Sequence, residues 1–174
     1  MRRQTKAVLG VLVAAGILAV FASGANATTS GNETVDVTLI VRAVAGERTV
    51  LASVVRAKGA FDGVGRIVEV PSQPGDPDNV LRDDLVFAGG SMHLVSTIIG
   101  GSQSLDPRSC RLTATIQQTG EVIGGTGQFA AASGSFAGEL SGQAVLARNP
   151  DGSCSDDTSV IEIDQISSHG TLTF

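Results

Sequence analysis

The sequence predicts an all-β protein, a single-domain eight-stranded antiparallel β-barrel. Three observations carry this prediction. Apolar and polar residues alternate with a period of two almost throughout the chain beyond residue 27, and no run keeps the 3.6-residue period of a helix. Short strand-like runs recur at close spacing within the length of one domain. Glycine, 22 of 174 residues, sits where strands would normally place packing side chains, as the sharp corners of a small closed barrel require.

The first 27 residues stand apart from this pattern. Arg2, Arg3 and Lys6 precede the apolar run Ala7 to Phe21, and Ala25-Asn26-Ala27 supplies a small-x-small cleavage site. These features predict a secretory signal peptide over residues 1–27, cut near Ala27, and a secreted domain over residues 28–174 in the periplasm or outside the cell. The run falls short of the roughly 20 apolar residues of a membrane span, so a membrane anchor is the lesser alternative. Without Arg2, Arg3 and Lys6, nine of the 12 basic residues face all 17 acidic ones, a net charge of −8. That balance argues against nucleic acid or an anionic membrane as partner, because either needs a basic face. The chain has no Trp and no Tyr, so the exposed aromatic platforms on which bases or sugars stack are missing as well.

Along the domain, "VDVTLIVRAV" (35–44) puts Val35, Val37, Leu39, Val41 and Ala43 on one face, and "RTVLASVVRA" (48–57) continues after a turn at Gly46. "GVGRIVEV" (63–70) precedes the clearest loop, Pro71 to Asn79, which holds three prolines. "DLVFAGGSMHLVST" (84–97) reads as one long strand bent at Gly89-Gly90, and "CRLTATIQQ" (110–118) and "EVIGGTGQF" (121–129) as further strands. "SFAGELSGQAVLAR" (135–148) places Phe136, Gly138, Leu140, Gly142, Ala144 and Leu146 on one face; "SVIEIDQI" (159–166) and "GTLTF" (170–174) close the chain. In an exported protein Cys110 and Cys154 predict a disulfide. The loop it closes spans about 44 residues and is worth roughly 4 kcal/mol in the chain-entropy model. An even number of intervening strands would bring both cysteines to the same rim.

The glycines of "GGTGQF" have a physical reading. Gly124, Gly125 and Gly127 let the strand coil where a Cβ would clash, Phe129 drops into the barrel as a plug, and Gly134 supplies a positive φ before the next strand. "VIGGTGQFAAASG" (122–134) also resembles the G-G-T-G-x-F-x-x-A-x-G signature of the dirigent and allene oxide cyclase superfamily. The chain looks closer to small secreted bacterial members than to plant ones. The resemblance implies a calycin-like eight-stranded barrel around an apolar cavity, and assembly into a homo-oligomer, a trimer. Two arginine positions common in plant dirigent proteins are Ala130 and Ser133 here, and the tyrosines of dirigent pockets are absent.

Candidate chemistry outside the lumen is sparse. His93 and His169 lack metal-ligand spacing and read as surface or packing residues, so no metal and no cofactor is expected. Asp76, Asp78, Asp83 and Asp84, and then Asp151, Asp156 and Asp157, read as solvated loop clusters. Glu162 and Asp164 share a strand face that suits either a paired-carboxylate site or solvent, and solvent is the preferred reading. No G-x-S-x-G nucleophile elbow occurs, and "GGTG" lacks the Lys-Ser or Lys-Thr and the helix of a phosphate loop. The lumen remains: a barrel of this size is filled by side chains or holds one small ligand. The expected lining is Phe87, Phe129, Phe136, Leu140 and Leu146. The expected function is binding of a small apolar molecule there, with a cyclase or isomerase that confines a reactive substrate, or a purely structural scaffold, as alternatives.

Overall fold

Period-two alternation becomes a closed barrel in the computed structural model, which describes residues 28–174; the expected signal peptide lies outside the described residues. The strands are β1 (Ser30–Val44), β2 (Glu47–Gly59), β3 (Gly63–Val70), β4 (Val80–Phe87), β5 (Gly90–Asp106), β6 (Arg111–Gly125), β7 (Ser133–Arg148) and β8 (Cys154–Thr173). Each pairs antiparallel with the next, and β8 returns to β1, so no edge is left open. Val35, Val37, Leu39 and Val41 of β1 turn inward, whereas Asp36, Arg42, Arg56 and Lys58 stay exposed on the outer wall. Among the described residues no helix is long and apolar enough to cross a membrane.

Eight strands result, but not with the expected boundaries. The run 84–97 is no bent strand: Ala88-Gly89 is a two-residue turn, with Phe87 paired to Gly90, and it makes β4 and β5 a hairpin. Residues 110–118 and 121–129 instead belong largely to one strand, β6, and residues 159–166 and 170–174 largely to β8. The glycines that looked like breaks at Gly120 and Gly170 flank Phe136 in register on either side. A Cβ on Gly120 would meet the Phe136 ring at 2.4 Å, and one on Gly170 would meet the Ser135 carbonyl oxygen at 2.0 Å. These glycines make room for a neighbour, so the strands run on through them.

The end that carries the β2–β3, β4–β5 and β6–β7 turns is sealed by aromatic rings. Phe129, fully buried, lies 4.9 Å from Phe61, 5.8 Å from Phe87 and 5.3 Å from Phe174, ring centre to ring centre. Two glycine turns interlock there. Gln128 N–H donates to the Gly89 carbonyl and Thr126 N–H to the Ser91 carbonyl. A Cβ on Gly127 (φ +59°) would come within 2.2 Å of the Gly89 oxygen, and one on Gly125 within 2.0 Å of the Ser91 oxygen. The residues from Gly127 to Phe129 form a single 3₁₀ turn that directs Phe129 inward. Gly134 is required for a different reason than expected. Its φ is not positive; a Cβ would strike the Thr171 carbonyl oxygen at 2.0 Å.

At the opposite end Cys110 and Cys154 form the disulfide, their Cα atoms 5.4 Å apart, and tie the β5–β6 hairpin tip to the β7–β8 tip. A disulfide is compatible with a periplasmic or extracellular location.

Candidate functional site

The barrel is not filled. A cavity of about 820 Å³ runs up from the aromatic floor to the rim formed by the β1–β2 and β3–β4 connections. Its wall is mainly aliphatic, with Val37, Leu39, Ile67, Leu85, Met92, Leu94 and Ile166 contributing. This size and character fall in the range of small-molecule sites.

Of the five expected lining residues, Phe136 and Leu140 line the cavity. Phe87 and Phe129 do not; their faces are consumed by the ring cluster that forms the floor. Leu146 is not among the lining residues either. The β7–β8 register shifts between Val145 and Leu146, so the alternation that carries Phe136, Leu140 and Ala144 inward no longer holds at Leu146.

The mouth is polar, and it is built from carboxylates. Asp164, only 3% exposed, accepts a hydrogen bond from Arg48 Nη2 at 2.9 Å. The same nitrogen donates to Glu162 at 2.9 Å, and Nη1 lies 3.5 Å from Glu69. Asp83 pairs in register with Glu69 across β3 and β4 and faces the same space. It accepts no hydrogen bond from any described residue. Burial, with the Glu69 charge adding to it and Arg48 opposing it, pushes the Asp83 carboxyl up to about 6. Asp164 also rises to about 6, through burial first and the neighbouring Glu162 second, against the pull of Arg48. The solvated-loop reading of Asp83 and the solvent-facing reading of Asp164 are thereby corrected: both sit in the lumen wall.

Arg48 is the residue that sequence reading missed. Strict alternation inward from Ala57, Val55 and Ser53 would turn Leu51 in and Arg48 out. The β1–β2 register instead skips Leu51, pairing Ala52 with Ile40 and Val50 with Val41. This bulge exposes Leu51 and reverses the phase, so Val50 and Arg48 turn inward. Glu69 and Asp83 carried a signal that could have been used. Each lies two residues from a buried apolar neighbour, Ile67 or Leu85, on the same strand.

Between mouth and floor, Ser96 (3% exposed), Gln118 (7%) and Ser168 (8%) line the cavity. At the floor Glu33 accepts the Phe61 N–H through Oε2 at 2.9 Å, while its Oε1 is buried without a partner among the described residues. Burial raises the Glu33 carboxyl above its ordinary value.

The remaining candidates disperse. His93 hydrogen-bonds Asp84 at 2.6 Å on the outer wall, and His169, although exposed, borders the cavity. Asp76 pairs with Arg82 through two contacts of 2.8 and 2.9 Å, which hold its carboxyl at about 2. Asp151 accepts a hydrogen bond from Ser153 of its own loop, and Asp157, near the start of β8 rather than in a loop, accepts one from Ser155 of the same strand. Among the described residues no group of three or more such side chains is arranged to hold a metal ion.

Fold and site together define an up-and-down β-barrel with an open, apolar lumen, a sealed aromatic floor and an acidic mouth. Comparison of the chain with protein-family models, with curated proteins and with solved structures finds no match in any of the three.

Proposed function

We propose that this is an exported lumen-binding protein, a non-catalytic binder of one small, largely apolar molecule. The observation that carries the reading is the 820 Å³ cavity, mainly aliphatic in its wall and closed at one end by the Phe129 cluster. A scaffold role would call for a solid core, and the open lumen weighs against it. The glycine-rich resemblance to the dirigent and allene oxide cyclase superfamily supports the same reading, since barrels of that kind hold apolar cavities; it is also the source of the trimer expectation.

Native mass spectrometry of the protein from its host's secreted fraction tests the proposal. It reports subunit number, cleavage near Ala27 and any retained small molecule. Leu140→Arg places a charge in the aliphatic wall and should abolish retention. Retention unchanged by Leu140→Arg would show that the lumen is not the site.

One observation favours a second reading, a cyclase or isomerase. Asp83 and Asp164 both hold carboxyls near 6 inside a confined space, the range in which a carboxyl exchanges protons at neutral pH. That reading predicts conversion of a reactive apolar substrate, lost in Asp83→Asn. Binding without conversion by the wild-type protein would refute it.

A further inference from the structure

The charge at the mouth does more than rim the cavity, and resting on the lumen-binding reading it narrows the ligand class. We infer that the bound molecule carries a cationic head, a protonated amine on an apolar body, and that Asp83 is its counter-ion.

Four carboxylates, Glu69, Asp83, Glu162 and Asp164, surround a single guanidinium at the mouth. Arg48 is engaged by three of them, and Arg82, which also reaches the rim, is held by Asp76. Asp83 has no cation within 4 Å and no hydrogen-bond donor among the described residues, and Arg48 acts on it only from farther off. A carboxylate in that position favours an incoming ammonium group, which would also relieve its repulsion from Glu69. An anionic head such as a carboxylate or sulfate would meet excess negative charge where the wall screens it poorly.

A second, independent observation concerns the wall below. Ser96, Gln118 and Ser168 are each more than nine-tenths buried and line the cavity, yet none hydrogen-bonds a described residue through its side chain. The orphaned buried side-chain atom among the described residues is Glu33 Oε1, so the polar atoms of these three open onto the lumen, where a polar group of an occupant can meet them. The backbone keeps that space clear. Gln118, Gly138 and Ser168 stand in register across β6, β7 and β8. A Cβ on Gly138 would approach Ser168 Oγ to 2.2 Å.

The test is a matched series of single-chain probes, dodecylammonium, dodecanol and dodecyl sulfate, each below its micelle concentration. Binding to the disulfide-intact protein is measured by calorimetry at neutral pH and low salt. Dodecylammonium should bind at least about tenfold tighter than dodecanol, a difference of about 1.4 kcal/mol, and dodecyl sulfate weakest. Asp83→Asn should bring the ammonium-to-alcohol ratio to about one. Glu139→Gln, on an exposed outer-wall carboxylate, should leave the ratio as in wild type. Dodecanol binding equal to or tighter than dodecylammonium, or dodecyl sulfate binding best, would overturn the cationic-head inference while leaving lumen binding intact. No binding of any probe would overturn the lumen reading itself and this inference with it. The wild-type series decides both even if the Asp83 variant folds poorly.

Discussion

Replacing Asp83 by Asn should make the protein more stable at neutral pH, and the size of the gain can be worked from its surroundings. The carboxyl rises from an ordinary 3.8 to about 6 in the fold, chiefly through burial and then through Glu69. Because the folded-state value lies above the unfolded one, the stabilisation tied to the protonated form is fully present below about pH 4. It is lost as the pH rises through about 6. About two pKa units correspond to about 3 kcal/mol. Asp83 is only partly buried, and screening in an open lumen roughly halves this to about 1.5 kcal/mol. Asn keeps the shape and removes the charge. Asp83→Asn should therefore raise the melting temperature at pH 7 by roughly 3–6 °C for a domain of this size. The gain should vanish below about pH 4, where wild-type Asp83 is protonated. Calorimetric melts of both proteins across that pH range measure it. A loss of stability at pH 7, or a difference that does not change with pH, would show that Asp83 does not sit in the environment described. A stability gain together with loss of ligand preference would mark Asp83 as a residue kept at a cost to the fold.

Four further outcomes follow from the same geometry. Arg48→Met strips the partner from nearly buried Asp164; it should cost about 2 kcal/mol at neutral pH. Its sign at neutral pH is opposite to that of Asp83→Asn: without Arg48 the Asp164 carboxyl rises further, so the loss should shrink as the pH falls toward about 6 and be gone below it, and an acid-independent loss in denaturant melts would refute it. Reducing the Cys110–Cys154 bridge, which closes 44 residues of sequence, should lower stability by about 4 kcal/mol and increase the denaturant m-value; a change below about 1 kcal/mol would contradict the chain-entropy account. Phe129→Ala should cost about 3–5 kcal/mol and open the floor, measurable as faster probe release by stopped flow. Gly127→Ala drives a Cβ into the Gly89 carbonyl at a positive φ and should cost more than about 2 kcal/mol in thermal melts, whereas Gly152→Ala, which meets only open space, should cost less.

The fold was legible because its evidence is local and repeated. Alternation in β1 needs no distant partner to be seen: one face of Val35, Val37, Leu39 and Val41 must be hidden and the other wetted. The strand boundaries were less legible, since a glycine reads alike in three roles. At Gly89 it makes a hairpin turn, at Gly120 and Gly170 it clears room for the neighbouring strand at Phe136, and at Gly127 it locks one turn against another. Only the neighbouring strand distinguishes them.

The candidate site divides along the same line. Phe136 and Leu140 were within reach of the periodicity, and Leu146 was lost where the β7–β8 register shifts. Phe87 and Phe129 were correctly apolar, but four rings that meet each other leave no face for a ligand. Glu162 and Asp164 shared a face in the sequence without a sign of which way it turned.

Taken by itself, the order of residues determined the class of fold, the pairing of Cys110 with Cys154 and the inward run of β1, because side-chain period and residue count are properties of the chain. The tertiary structure alone decided that Arg48 faces the lumen, through a one-residue bulge at Leu51, and that Asp83 stands there without a cation within 4 Å. Register, bulges and shared charge are relations between strands far apart in sequence, and they take definite values only when the barrel closes.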